Sequence, residues 1–193
     1  VKCITAIALL LCMHAAAAAE VQSVAVSREG DRYHVDLRAR LDAPTEQAYA
    51  VFSDYRNLPA INPAVRSATV LGVNADGTTR LATEVHLCAA FFCRELKQVQ
   101  DMHRIHEGDA LGLNADVLPQ LSDLRYGHAE WRMRPCAGGT CLHFSAELEP
   151  DFWVPPVIGP WLIQRKMRGE ARQTAEGIEK VANEQARQKP KTD

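Results

Sequence analysis

Few residues in this 193-residue chain could do covalent or proton-transfer chemistry. Four of its six cysteines form two pairs of identical spacing, Cys88/Cys93 and Cys136/Cys141. In an oxidising compartment such pairs close into disulfides, whereas in a reducing one two C-x4-C pairs could hold a zinc ion as four thiolates. The gap exceeds the two residues usual between paired zinc thiolates, and export would favour oxidation. Histidines are the other acid/base candidates. His103-x-x-His106 sits with Asp101, Glu107 and Asp109, and His128 lies near Glu130, Glu147 and Glu149. A metal site needs three or four converging ligands, and strand alternation sends the second group to the wet side, so both read as solvated surface. No G-x-S-x-G motif occurs, and paired cysteines supply no nucleophile. Ionisable residues at inward positions are scarce, which leaves general acid–base catalysis without an obvious base.

The elements that carry these residues follow from hydrophobic periodicity. Val1 to Ala19 reads as an export signal: Lys2, an apolar core from Ile4 to Met13, and Ala17-Ala18-Ala19 before Glu20. The rival reading is an uncleaved anchor, for which the stretch is short against the roughly 20 apolar residues of a span. Removal of the leader takes away Cys3 and Cys12 and leaves an even number of cysteines. Formal charge is −2, and the basic run Arg165-Lys166-x-Arg168 is followed by Glu170, so no nucleic-acid partner is implied. A periplasmic or secreted protein with one domain over residues 20–186 and a disordered tail over 187–193 is expected.

From Glu20 onward the chain alternates apolar and polar residues with period two. Glu20–Arg28 and Arg32–Leu41 flank a Glu29-Gly30-Asp31 turn. Asp42-Ala43-Pro44-Thr45 then opens a short helix through Tyr55, capped by Asp42 or Thr45, and a second helical turn lies between Pro59 and Pro63. Strands follow at Val65–Val73, Thr79–Leu87, Arg94–His103, Ala110–Val117, Asp123–Pro135 and Cys141–Glu149. If Cys136 faces Cys141 across Ala137-Gly138-Gly139-Thr140, then Met133 opposes Phe144, Trp131 opposes Ala146, and Glu130 faces Glu147. Last comes an amphipathic helix from Pro155 to about Glu184, with Ile163, Met167, Ala171, Thr174, Ala175, Ile178 and Val181 on one face. Its small middle implies either close backbone approach or space for a ligand. The order gives an α+β domain, a curved antiparallel sheet of six to seven strands around a long C-terminal helix.

Asp42-Ala43-Pro44, Ala50-Val51-Phe52-Ser53-Asp54-Tyr55 and Leu58-Pro59-x-x-Asn62-Pro63 before the Val65 strand resemble the START-like superfamily, also called SRPBCC. The nearest likeness is to its polyketide cyclase/dehydrase and coenzyme-Q-binding-like branch. The resemblance covers about Leu37 to Val181 and implies the helix-grip fold, with no cofactor. It also implies an apolar cavity between sheet and helix, lined by Val85, Leu96, Leu113, Trp131, Met133, Phe144, Trp161 and Met167, with Tyr55, Leu58 and Ile61 at its mouth. The expected occupant is a hydrophobic small molecule of lipid, isoprenoid or quinone type. The alternatives are a cyclase/dehydrase-type enzyme and a packed interaction module without ligand. Trp153, Pro155, Pro156, Pro160 and Trp161 form a rigid aromatic corner, or a lip that touches a membrane transiently.

Overall fold

The structure, a computed structural model, describes residues 19–89, 92–154 and 159–188. All eight alternating runs join one sheet: β1 (Glu20–Glu29), β2 (Arg32–Leu41), β3 (Val65–Val73), β4 (Thr79–Ala89), β5 (Phe92–Glu107), β6 (Ala110–Val117), β7 (Leu124–Cys136) and β8 (Gly139–Pro150). Their order is β1-β2-β8-β7-β6-β5-β4-β3, with every neighbouring pair antiparallel. The sheet is curved and open, with edges at β1 and β3. The count is eight, above the expected six to seven, because the β1–β2 hairpin precedes the helices and adds β1 as an outer edge. Between β2 and β3 the chain crosses from one side of the sheet to the other through α1 (Thr45–Ser53), a 3-10 turn (Tyr55–Asn57) and α2 (Leu58–Ile61).

Neither predicted cap is used at α1. Pro44 occupies the cap position, and its carbonyl accepts from the Gln47 and Ala48 amides. The Asp42 amide instead donates to the buried Glu179 carboxylate, and the Thr45 hydroxyl pairs with that of Thr140 at 3.1 Å. Both residues tie the helix start to its surroundings rather than to its own amides.

The last helix, α3 (Gly159–Gln188), runs one turn past Glu184 and takes in Arg187 and Gln188 of the expected 187–193 tail; the rest of that tail, from Lys189, lies outside the described residues, as do the leader to Ala18 and Pro155 and Pro156. Its two halves differ. From Ala171 to Ala182 the inward face is buried, with Ala175, Ile178 and Ala182 at 0% exposure. Here α3 meets α2 so closely that a Cβ on Gly177 would stand 1.8 Å from the Ile61 carbonyl oxygen. From Trp161 to Glu170 no residue is fully buried.

Both cysteine pairs are disulfides. Cys88–Cys93 joins directly opposed residues of β4 and β5. Cys136–Cys141 is diagonal, since Cys136 opposes Gly139 and Cys141 opposes Arg134. The β7–β8 hairpin therefore turns through only Ala137 and Gly138, with Gly138 at φ 82°, and its register is displaced by two residues from the expected one. Trp131 opposes Phe144, Met133 opposes Leu142, and Glu130 opposes Ser145. A two-residue slip leaves every side chain on its own face, so alternation cannot reject it. Glu130 therefore does not face Glu147: it pairs with Arg132, and Glu147 pairs with Arg32 and His34. His103 and His128 both approach Asp116 on the outer face, while His106 is exposed with its ring against Tyr49.

Candidate functional site

The concave face of the sheet is filled unevenly. One row across it runs Leu37, Phe144, Trp131, Leu113, each the register neighbour of the next. The adjacent row runs Val35, Ala146, Ala129, Ala115, Met102. Three alanines on successive strands place a low floor beside a tall ridge, and α3 cannot fill the gap with the small residues Ala171, Thr174 and Ala175. A void remains where large side chains would otherwise meet.

That void forms two adjoining chambers. The one under the amino half of α3 has a volume of about 350 Å³ and is lined by Val85, Leu96, Leu148, Phe152, Ile163 and Met167, among others. The one beside α2 has a volume of about 230 Å³ and is lined by Phe52, Tyr55, Leu58, Ile61, Leu81 and Leu113, among others. Trp131, Phe144, Val85, Ala146 and Asn62 line both. Trp131 is the partition: its ring stacks on Phe144 at 4.9 Å and leans on Phe52 at 5.1 Å. Such aromatic pairs hold one another's rotamers and present a rigid apolar wall.

Polar groups on the walls are few, and most are already engaged. Asn62 donates to the Thr174 hydroxyl at 3.0 Å and accepts from the Ala64 amide at 2.9 Å, while Thr174 donates to the Glu170 carbonyl at 2.9 Å. This relay fastens α2 to α3 between the chambers. Tyr55 lines the α2 chamber with its hydroxyl buried and without a partner among the described residues, and burial pushes the phenol up, against a smaller opposing pull from Arg104. In the α3 chamber, Lys166 and Glu170 form an ion pair one helical turn apart, and the Arg94 guanidinium lies 4.3 Å over the Phe152 ring.

Of the residues predicted from sequence, Val85, Leu96, Trp131, Phe144 and Met167 border the α3 chamber, and Tyr55, Leu58, Ile61 and Leu113 border the other. Tyr55 and Ile61 are buried walls rather than a mouth. Two predicted residues line neither chamber. Met133 is fully buried and belongs to the packed core, opposite Leu111 and Leu142. Trp161 is 58% exposed on the far side of α3, over a shallow groove shared with Cys88 and Arg165. The helix begins at Gly159, and its phase sends Ile163 and Met167 inward but Trp161 outward. Sequence reasoning did not name Phe52, Gln98, Leu148, Phe152 or Arg94 as lining residues. Alternation in β5 could have found Arg94 and Gln98, which share the face of Leu96.

The chain matches the family described as polyketide cyclase / dehydrase and lipid transport over residues 32–183. It belongs to that family. No curated protein matches it in sequence. Among solved structures, a START superfamily protein from Mycobacterium smegmatis is similar at TM-score 0.62 and 17% identity, covering 79% of this chain and 98% of the other. The STAR-related lipid transfer protein of Xanthomonas axonopodis gives 0.54 and 17% over 86% and 99%. The Zhui aromatase/cyclase of a Streptomyces species gives 0.61 and 12% over 81% and 97%. At these identities the likeness establishes the START-like helix-grip fold, and the family match adds that such folds serve hydrophobic ligand binding or polyketide cyclisation.

Proposed function

We propose that this START-like protein binds and carries a hydrophobic small molecule of lipid, isoprenoid or quinone type, held between the sheet and α3. The observation that carries this reading is the about 350 Å³ chamber with apolar walls under the amino half of α3, continued past Trp131 into the α2 chamber. A packed interaction module would have large side chains where Ala115, Ala129 and Ala146 stand. Binding would act by removing ligand surface from water, each buried methylene contributing about 0.8 kcal/mol. Val85, Leu96, Leu113, Trp131, Phe144 and Met167 would supply the contact, with Tyr55, Leu58 and Ile61 closing the inner end. The lipid transfer protein among the structural neighbours supports the carrier reading by analogy of fold.

The two disulfides fit a periplasmic or secreted protein, and among the described residues no helix is long and apolar enough to cross a membrane. Trp153, 75% exposed on the wall of the α3 chamber, and Trp161, 58% exposed on the far side of α3, suit brief contact with a membrane surface during loading.

A cyclase-type reaction would need a proton-moving group at the substrate. Glu170 is the one carboxylate bordering the α3 chamber among the described residues; its Oε1 is held in the Lys166 ion pair, and its Oε2 is buried with no hydrogen-bond partner among those residues.

The test is native mass spectrometry of protein purified from a periplasmic extract, with denaturing extraction of bound small molecules. A co-purifying lipid or quinone is expected in wild type and absent in Phe144→Asp, with Cys136–Cys141 still formed in the variant. Retention of the same ligand by Phe144→Asp would sink the site assignment.

A further inference from the structure

We propose that the α3 chamber selects amphiphiles with an oxyanion head, a carboxylate or phosphate monoester on a hydrocarbon chain, and that Arg94 is the residue that selects them. This rests on the carrier reading and narrows its ligand class. Arg94 lies on the concave face of β5, opposite Leu87 and directly after the Cys88–Cys93 bridge, so the strand that presents it is pinned at its end. Phe152 fixes the plane of its guanidinium. Its Nε is buried and has no hydrogen-bond partner among the described residues. The neighbouring carboxylate, Glu95, points to the opposite face and is engaged by His86 at 2.5 Å.

A guanidinium N–H withdrawn from water without an acceptor is unfavourable, and the deficit is relieved by any acceptor that arrives with a ligand. The planar fork fits a carboxylate or phosphate through two parallel bonds, which a hydroxyl or ester cannot reproduce. Local charge points the same way. Arg94, Lys166 and Glu170 are the charged groups bordering this chamber among the described residues, two cations against one anion; Glu170 pairs with Lys166 through Oε1, while its buried Oε2 has no hydrogen-bond partner among the described residues. Beyond them the walls are apolar toward Trp131, so an oxyanion at Arg94 places its chain along the aromatic ridge. The exposed Trp153, which also lines the chamber, marks the head-group end as the one nearer solvent.

The experiment is competition against the neutral fluorophore N-phenylnaphthylamine in the disulfide-bonded protein, using dodecanoic acid, dodecyl phosphate, methyl dodecanoate and dodecanol. The acid, the phosphate or both should displace the probe at least about tenfold more tightly than the ester and alcohol, a difference of about 1.4 kcal/mol. Which oxyanion wins separates a fatty-acid head from a phosphate head. Arg94→Met should abolish the preference by weakening the oxyanions to the level of the ester and alcohol, and Arg94→Lys should retain part of it. Displacement of the probe by the ester in Arg94→Met shows that its chamber still binds. Equal displacement by acid and ester in wild type overturns the oxyanion head and leaves the carrier reading standing. Failure of the probe and all four amphiphiles to bind overturns both.

Discussion

Glu179 is 3% exposed on α3, where its carboxylate accepts from the Asp42 amide. Burial pushes its carboxyl above the ordinary range; that hydrogen bond and Arg40 pull it down, while Asp42 and Glu176 add to the rise. A carboxyl whose folded pKa is raised stabilises the fold fully below its unfolded value and loses that contribution as pH rises through the folded value. Glu179→Gln keeps an acceptor for the Asp42 amide and removes the titration. The expected result is a melting temperature at pH 7.5 equal to or above that of wild type, with a flatter profile from about pH 4.5 upward. A variant that melts lower at pH 7.5 and keeps the wild-type slope would remove Glu179 from the account.

Two glycines on α3 separate the claims that a small residue can make. Around Gly169 a Cβ would meet nothing within 4 Å among the described residues, whereas at Gly177 it would collide with the backbone of Ile61. Gly169→Ala should stabilise by about 0.5–1 kcal/mol through helix propensity. Gly177→Ala should destabilise by about 1–3 kcal/mol, because α2 and α3 must part. Urea denaturation of both variants checks the pair, and the same sign for each would contradict the packing. The small middle of this helix was legible in the sequence as close approach or empty space, and the structure contains both. Gly177 makes the approach, while Ala171, Thr174 and Ala175 border the void. Which residue did which was not legible, since spacing along one helix says nothing about what crosses it. The strand faces were legible for the same reason that the β7–β8 register was not: period two sorts faces, and a two-residue slip preserves them. That slip set Trp131 against Phe144 instead of Ala146, and it hid the alanine row that lowers the floor.

At the scale of the molecule, the sheet and α3 enclose space at the place where other α+β domains have their densest core. Filling that space separates folding from binding. Ala146→Phe projects from β8 toward both chambers. It should leave stability within about 1 kcal/mol of wild type, since apolar burial offsets the crowding, and it should reduce ligand recovered on extraction to a small fraction. Full recovery with unchanged stability would place the ligand elsewhere. A bound ligand adds stability by mass action, about 2.7 kcal/mol at a hundredfold excess over its dissociation constant. Thermal shifts that grow with ligand concentration in wild type and vanish in Ala146→Phe would therefore report occupancy directly.

The unequal halves of α3 carry a consequence for kinetics. Its carboxyl half is fastened by Ala175, Ile178 and Ala182, and its amino half rests over the chamber. The work of lifting the amino half falls on a few side chains, so its amides between Trp161 and Glu170 should exchange with deuterium well ahead of those between Ala171 and Ala182, and should slow when the chamber fills. Loading would then proceed by fraying one end of a helix while the other end keeps the fold, and the rate of uptake would be set by the local opening equilibrium instead of by global unfolding.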